Sequence, residues 1–171
     1  MNNPWLVALF RSFLWLFLQI IIFEPFNEKI AGLTLYPYII GFLWLPITTP
    51  VFLGYIWAVV FGFILDIAFQ TYGLHTSASI FLVYARKFVL QILSPSDGYE
   101  VNDKAHLASL GFRWFSAYSL ILIALHHFWV IVLEQFEHFF SPYTLGKFLL
   151  STGISFLLIF VLDYLVAGKK R

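Results

Sequence analysis

Two long apolar segments meet at FGFILDIAFQTYGLHT, residues 61–76, and this stretch decides how the chain folds. A short break that ends at Gly73 separates the two segments, and Asp66 lies just before it. A carboxylate inside such an apolar segment is costly at membrane depth unless it has a polar partner. Asp66 therefore has three interpretations: it caps the next helix and holds the hairpin together, it contacts another membrane helix, or it couples a proton or ion.

The composition predicts an all-α integral membrane protein. Of the 171 residues, 61% are hydrophobic and 11% are charged, and the mean hydropathy is +0.86. Soluble proteins average about 45–50% apolar and about 25% charged residues. We expect a single transmembrane domain over residues 1–171, with little outside the bilayer. The chain has no cysteine, which excludes a disulfide framework and a Cys-based metal site.

Six apolar segments predict membrane-spanning helices, since roughly 20 mostly apolar residues cross a bilayer. They lie at about residues 5–23, 30–47, 51–69, 74–93, 107–133 and 146–166. The first lacks a basic start and a small-residue cleavage site, so we expect a retained helix. Glu24-Pro25 and then Asn27-Glu28-Lys29 form the polar stop after it. The second is short and contains Pro37 and Pro46. We therefore predict one bundle of six transmembrane helices.

The placement of Lys and Arg predicts the orientation of this bundle. With six helices the two termini share a side, and that side collects most of the basic residues: Arg86, Lys87, Lys104, Arg113, Lys169, Lys170 and Arg171. The opposite side holds Lys29 and Lys147. Basic loops remain in the cytoplasm, so we expect both termini there. A five-helix arrangement, without a crossing at 30–47, would separate the termini.

Arg86 and Lys87 lie inside the fourth apolar segment, about 10 Å from its end at about 1.5 Å per residue. Their long side chains reach the headgroup region from that depth, so we expect them to anchor the helix to anionic lipid. The alternatives are pairing with Asp163, near the end of the sixth segment, or with a cytoplasmic protein.

Three glycines mark positions of close packing or unusual backbone geometry. Gly54 and Gly62 are eight positions apart in the third segment, so they share a face that a neighbouring helix can approach closely. Gly73 is expected to supply the backbone dihedral angles that the break between the third and fourth segments requires.

The fifth segment and the loop after it carry a polar cluster with metal-ligand residue types: His126, His127, Glu134, Glu137 and His138. His127 and Glu134 are seven positions apart and share a helical face. An HExxH motif is absent, so we interpret the cluster as interfacial polar residues near the outer surface that partly face neighbouring helices, with a metal site as the alternative. No Ser-His-carboxylate arrangement or phosphate-binding glycine loop indicates catalysis, and we expect no cofactor and no nucleic-acid partner.

At Gly62, Asp66, Gly73 and Leu74 the sequence resembles the rod shape-determining protein MreD family of bacterial inner-membrane proteins. The shared pattern is a glycine and an aspartate in one membrane helix, followed by a Gly-Leu that opens the next. The family often has a proline shortly before that Gly-Leu, where this chain has Thr71-Tyr72. The length of this chain, its six apolar segments and its expected cytoplasmic termini are also similar to those of the family.

The resemblance implies a non-catalytic scaffold of the elongasome, the cell-elongation complex that maintains cell shape. Such a scaffold binds MreC and, through it, MreB and the glycosyltransferase and transpeptidase of peptidoglycan synthesis. The exposed side of the hairpin, or the small-residue face of its first helix, would dock a partner's membrane helix. The hairpin and docking candidates are Gly54, Gly62, Asp66, Gly73, Leu74 and His75.

Two other functions stay open. The MreD fold is thought similar to the substrate-binding component of energy-coupling-factor transporters, which implies a vitamin or small-molecule binder as the alternative. Such a binder predicts an aromatic-lined pocket of about 300–1,000 Å³. Its polar lining would come from Asp66, His75, His126 and Trp129. An intramembrane enzyme would instead depend on Asp66 or His127 for turnover.

Overall fold

A computed structural model describes residues 4–100 and 103–167, without the side chains of residues 4–6, 28 and 167. Within these ranges the chain is helical and contains no strand. The seven α-helices are α1 (Pro4–Leu18), α2 (Glu24–Lys29), α3 (Ile40–Leu43), α4 (Val51–Phe69), α5 (Leu74–Ile92), α6 (Leu107–Glu134) and α7 (Pro142–Ala167). The basic residues Lys169, Lys170 and Arg171 lie outside the described residues.

The first helical run continues through its predicted polar stop. A π-helical turn, Gln19–Phe23, links α1 to α2, so the run ends at Lys29, the last residue of that stop, and not at Phe23. Pro25 lies in the first turn of α2. A proline has no N–H to donate, and the π-helical turn directly before it interrupts the regular helical hydrogen-bond pattern.

The predicted helix at 30–47 is wrong. Residues 31–36 contain no helix, and they are followed by a 3₁₀ turn, Pro37–Ile39, and the four-residue α3. Pro37 and Pro46 explain the difference, because a proline removes a helical N–H and disfavours helical geometry in the residue before it. Tyr36, directly before Pro37, has φ −123° and ψ 62°, outside the helical region.

The remaining helices lie close to their predicted bounds. Helices α4 and α5 run over Val51–Phe69 and Leu74–Ile92, and α7 begins earlier than predicted, at Pro142. Within α6, Gly111 has φ 82° and ψ 169°, which kinks the helix near its start.

Four helical stretches are long and apolar enough to cross a membrane: Val7–Asn27, Val51–Phe69, Leu107–Glu134 and Pro142–Val166. Helix α5 has 19 residues but is less apolar. The architecture is therefore compatible with a multi-pass membrane protein.

Contacts between distant segments define one end of the bundle. The Arg11 guanidinium lies 5.7 Å from the Trp44 ring centroid, and the rings of Trp44 and His106 are 5.3 Å apart. A ring nitrogen of His106 lies 2.6 Å from a carboxylate oxygen of Asp163. The first half of α1, the residues after α3, the start of α6 and the last turns of α7 therefore meet at this end, which we call the tail end.

The opposite end, which we call the turn end, contains the α4–α5 turn. The backbone N–H of Thr34 donates to the Ser151 hydroxyl over 2.9 Å, and Lys147 of α7 lies 3.7 Å from Glu134 of α6. The ring of Tyr36 lies 5.7 Å from that of His75, at the start of α5. Residues 30–47 run from the turn end to the tail end in a largely non-helical form, and we call this segment the second pass.

This second pass forms the centre of the core. Residues 35–45 are all buried, and Ile39, Ile40 and Phe42 are completely inaccessible. Non-helical backbone at membrane depth is tolerated only where protein or water satisfies its polar groups. Surrounding helices supply such partners through their side chains.

Three of these partners come from α1, α2 and α6. The Asn27 side chain pairs with the backbone of Leu35, accepting from its N–H over 2.8 Å and donating to its carbonyl over 3.0 Å. The Ser12 hydroxyl donates to the carbonyl of Gly41 over 3.2 Å, and the Tyr118 hydroxyl donates to that of Leu43 over 3.0 Å. Ser12 and Tyr118 reach the second pass from 29 and 75 positions away, whereas Asn27 lies eight positions from Leu35.

Candidate functional site

The Asp66 carboxylate joins the end of α4 to the start of α5. Its Oδ1 accepts from the Thr71 hydroxyl over 2.6 Å and from the backbone N–H of His75 over 2.8 Å. Its Oδ2 accepts from the Thr76 backbone N–H over 2.9 Å and from the Thr76 hydroxyl over 2.6 Å. The carboxylate caps the next helix and is favoured there by the helix dipole. The capping interpretation of Asp66 is therefore confirmed.

The turn between the two helices depends on left-handed backbone geometry. Gln70 has φ 57°, Tyr72 has φ 49° and Gly73 has φ 95°. Gly73 therefore has the unusual dihedral angle that its position predicts. Glycine adopts this angle without strain because it has no side chain. Leu74 starts α5, and its N–H donates to the Thr71 carbonyl over 3.1 Å.

Helices α4 and α5 touch through their backbones at Gly62. A Cβ at Gly62 would lie 2.3 Å from the Cα of Thr76, closer than atoms can approach. At Gly54 a Cβ would lie 3.0 Å from a Val83 side-chain carbon. Both glycines therefore serve close packing within the hairpin, and the Gly62 contact brings Asp66 within reach of Thr76.

His75 lies beneath the cap and is 3% exposed. Its Nδ1 is 3.0 Å from the Thr71 hydroxyl and 3.4 Å from Asp66 Oδ1. Its other ring nitrogen has no hydrogen-bond partner among the described residues. Its ring packs edge-on against Phe69, with 5.3 Å between centroids.

A groove of about 670 Å³ runs along the outside of the hairpin at the turn end. Phe63 and Ile67 of α4 and Ile80 of α5 supply apolar walls, and Asp66 and Thr76 are part of its polar lining. Phe63 is 59% exposed and Ile67 is 64% exposed. The groove thus combines accessible apolar side chains with the rigid capped turn.

A second buried carboxylate repeats the capping arrangement at the tail end. Asp163 of α7 is inaccessible, and its Oδ2 accepts from the N–H of Leu107, the first residue of α6, over 2.8 Å. Its Oδ1 lies 2.6 Å from His106 Nδ1. The sequence analysis did not predict that Asp163 caps α6. His106, directly before the apolar run of α6, was the only local signal, and Asp163 lies 57 positions from it.

His126 and His127 lie in the core and face neighbouring segments, as expected in part, but they do so completely and not partly. Both are inaccessible, because α6 turns this face toward the second pass and α7. The Tyr38 hydroxyl lies 2.6 Å from His126 Nε2. His127 Nδ1 donates to the Ile123 carbonyl over 2.9 Å, and the Ser155 hydroxyl lies 3.2 Å from its Nε2.

The other members of that polar cluster lie apart from the two histidines. Glu134 pairs with Lys147, and Glu137 and His138 are exposed in a 3₁₀ turn. Among the residues that the structure describes, no group of three or more His, Cys, Asp or Glu is arranged to hold a metal ion.

The predicted basic side divides into exposed and buried residues. Lys87, Lys104 and Arg113 are exposed, as anchoring to lipid would require. Arg86 is only 6% exposed, so its expected extension to the headgroups is wrong. Pairing with Asp163 is also wrong, since that carboxylate is bonded to His106 and Leu107.

These features define an all-helical bundle compatible with several membrane crossings, with buried carboxylates that cap neighbouring helices. Comparison with protein-family models, with curated proteins and with solved structures gives no match. The function is therefore argued from the geometry and from the sequence pattern at Gly62 to His75.

Proposed function

We propose that this chain is a non-catalytic scaffold of the MreD type in a bacterial inner membrane. It crosses the membrane six times, with both termini in the cytoplasm, and binds the membrane helix of MreC. Through MreC it links MreB to the glycosyltransferase and transpeptidase of the cell-elongation complex. The proposal rests on the MreD-like pattern at Gly62, Asp66, Gly73 and Leu74 and on the geometry around it.

The observation that carries the proposal is the groove beside the capped turn. Asp66 accepts four hydrogen bonds from Thr71, His75 and Thr76, which leaves the hairpin geometry well defined. A defined geometry favours docking, because little conformational entropy is lost when a partner helix binds. The apolar wall at Phe63 and Ile67 offers the close packing on which helix association in lipid depends.

The polar interior gives less support to a small-molecule binder. His126 is bonded to Tyr38 in the core, and the Trp129 indole donates to the Ser77 hydroxyl over 3.2 Å. His75, His126 and Trp129 line neither the groove at the turn end nor a cavity of about 420 Å³ between the start of α4 and the end of α5. Asp66 is occupied by its four donors, so a proton- or ion-coupling role would have to break the hairpin cap.

Purification of the tagged protein from its native membrane in mild detergent, with mass spectrometry of what copurifies, tests the proposal. We expect MreC and the elongation enzymes. Ile67→Trp, which fills the groove, should reduce their recovery. Leu157→Trp on α7 is the matched control, since Leu157 is 61% exposed and does not line the groove.

Two results would contradict the scaffold. Recovery of a transporter's ATPases and coupling subunit would replace it with the solute-binding function. Equal recovery of MreC with the wild type and with Ile67→Trp would move the docking site away from the hairpin groove.

A further inference from the structure

Arg86 is a buried cation, 6% exposed, toward the tail end of the bundle. Its Nε donates to the Tyr118 hydroxyl over 2.8 Å, and its Nη2 donates to the Leu45 carbonyl over 2.7 Å. The Pro46 carbonyl lies 3.5 Å from the same Nη2. All of these acceptors are neutral oxygens, and they fasten the end of the second pass to α5 and α6.

The charge of Arg86 has no counter-ion in the described part of the chain. The ion pairs there involve His75, His106 and Lys147, and Arg86 belongs to none of them. Its Nη1 donates to no described residue. Burying a charge is costly unless an opposite charge accompanies it, so the site favours an anion from outside the chain.

A cavity of about 420 Å³ opens beside this guanidinium, between the start of α4 and the end of α5. Lys87, Gln91 and Ser94 contribute polar groups to its lining. Tyr99 also lines it, and partial burial raises the pKa of the Tyr99 hydroxyl, so this residue adds no negative charge. The cavity therefore presents two cations and neutral donors.

The rest of the cavity wall is apolar and includes Val51, Val83 and Leu90. Arg86 lies about 10 Å from the end of α5 at about 1.5 Å per residue, so the cavity extends from the helix end toward the apolar region. A ligand that combines an anionic group with a hydrocarbon chain matches both parts of the lining. Basic pockets between membrane helices bind lipid headgroups in this way.

We propose that this cavity binds one anionic phospholipid, with its phosphate group on Arg86 and Lys87 and an acyl chain along Val51 and Val83. The guanidinium pairs with phosphate through charge-assisted hydrogen bonds. The bound lipid supplies the counter-ion that the chain lacks. The inference is independent of the scaffold function, since it needs only the α4–α5 cavity and a surrounding membrane.

The test is native mass spectrometry of the full chain in detergent, with phosphatidylglycerol, phosphatidylcholine or inorganic phosphate added separately. We expect one phosphatidylglycerol to stay bound to the wild type, while phosphatidylcholine is lost. Lys87→Gln should weaken phosphatidylglycerol binding about tenfold, as the loss of one charged partner predicts. Lys104→Gln removes the same charge at the same end, outside the cavity, and should leave binding unchanged.

Arg86→Gln is a less clean test because it also removes the bonds to Tyr118 and Leu45. Val51→Trp keeps Arg86 and fills the mouth of the cavity, so it should also reduce lipid retention about tenfold. Phe52→Trp is its control, because Phe52 is 71% exposed and lies outside the lining.

Two results would overturn the proposal. Equal phosphatidylglycerol retention by the wild type, Lys87→Gln and Val51→Trp would show that the lipid binds elsewhere. Binding of inorganic phosphate as tight as that of phosphatidylglycerol would show that the anion is free phosphate and that the apolar wall contributes nothing.

Discussion

Two buried aspartates show how single residues organise this bundle. Asp66 is 7% exposed and caps α5 from the preceding helix, and Asp163 is inaccessible and caps α6 from α7. A carboxylate that accepts backbone N–H groups at a helix start satisfies donors that would otherwise lack partners. Each carboxylate also contacts a histidine, His75 or His106, through Nδ1. The same chemistry therefore joins neighbouring helices at both ends of the molecule.

Replacement of Asp66 by asparagine tests this capping at the residue scale. Asp66→Asn keeps the size of the side chain but turns an NH₂ group toward donors, so we expect a loss of about 2 kcal/mol of stability. Thermal unfolding of the purified protein in detergent measures the change. Asp97→Asn, at an exposed loop position, is the control and should unfold at the wild-type temperature. Equal unfolding temperatures for all three proteins would mean that the cap contributes no stability.

At the scale of elements, the hairpin depends on a backbone contact, and the second pass depends on hydrogen bonds from side chains of the surrounding helices. Helices α4 and α5 meet where Gly62 leaves no room for a Cβ against Thr76. Residues 30–47 cannot satisfy their own backbone as a helix would, and Asn27 and Arg86 pair with it instead. The two arrangements are complementary, because a tightly closed hairpin holds Arg86 against the second pass.

Two glycine-to-alanine changes distinguish the effect of close packing on stability from the effect of helix propensity. Gly62→Ala should push α4 away from α5 and destabilise the protein by about 1–3 kcal/mol, as overpacking does. Gly153→Ala is the matched control in α7, where a Cβ would meet nothing within 4 Å. It should be neutral or stabilise the protein by up to about 1 kcal/mol, because alanine favours helix. Chemical or thermal unfolding in detergent compares them, and a neutral Gly62→Ala would contradict the contact.

At the scale of the whole molecule, helices α4 and α5 run to and from the turn end, and the non-helical second pass connects the turn end to the tail end. Arg11, His106 and Asp163 share the tail end, whereas the α4–α5 turn lies at the turn end. The proposed orientation, with both termini on one side of the membrane, depends on this second pass. A five-helix arrangement with separated termini would require residues 30–47 to return to the end at which they start.

Single cysteines test this topology directly, since the chain has none of its own. Ile30→Cys and Thr48→Cys flank the second pass, and Tyr72→Cys and Lys104→Cys mark the turn end and the tail end. In intact cells a membrane-impermeant maleimide should label positions 30 and 72, and positions 48 and 104 should react only after permeabilisation. Labelling of positions 30 and 48 from the same side would exclude a crossing by the second pass.

The sequence by itself determined the helical class and most helix positions, because the length of an apolar run and the residues that interrupt it are local properties. It also indicated that Asp66 caps the next helix, since donor and acceptor lie within ten positions. The close approach at Gly62 followed from the same local spacing.

The tertiary structure alone decided which polar groups meet across the bundle. Arg86 is buried and bonds to Leu45, 41 positions away. His106 pairs with Asp163, 57 positions away. Pro37 and Pro46 indicated an interrupted helix at 30–47. The non-helical pass is stable only because side chains distant in sequence, those of Ser12, Arg86 and Tyr118, bond to its backbone. Such partners depend on how helices pack, and no local pattern encodes that packing.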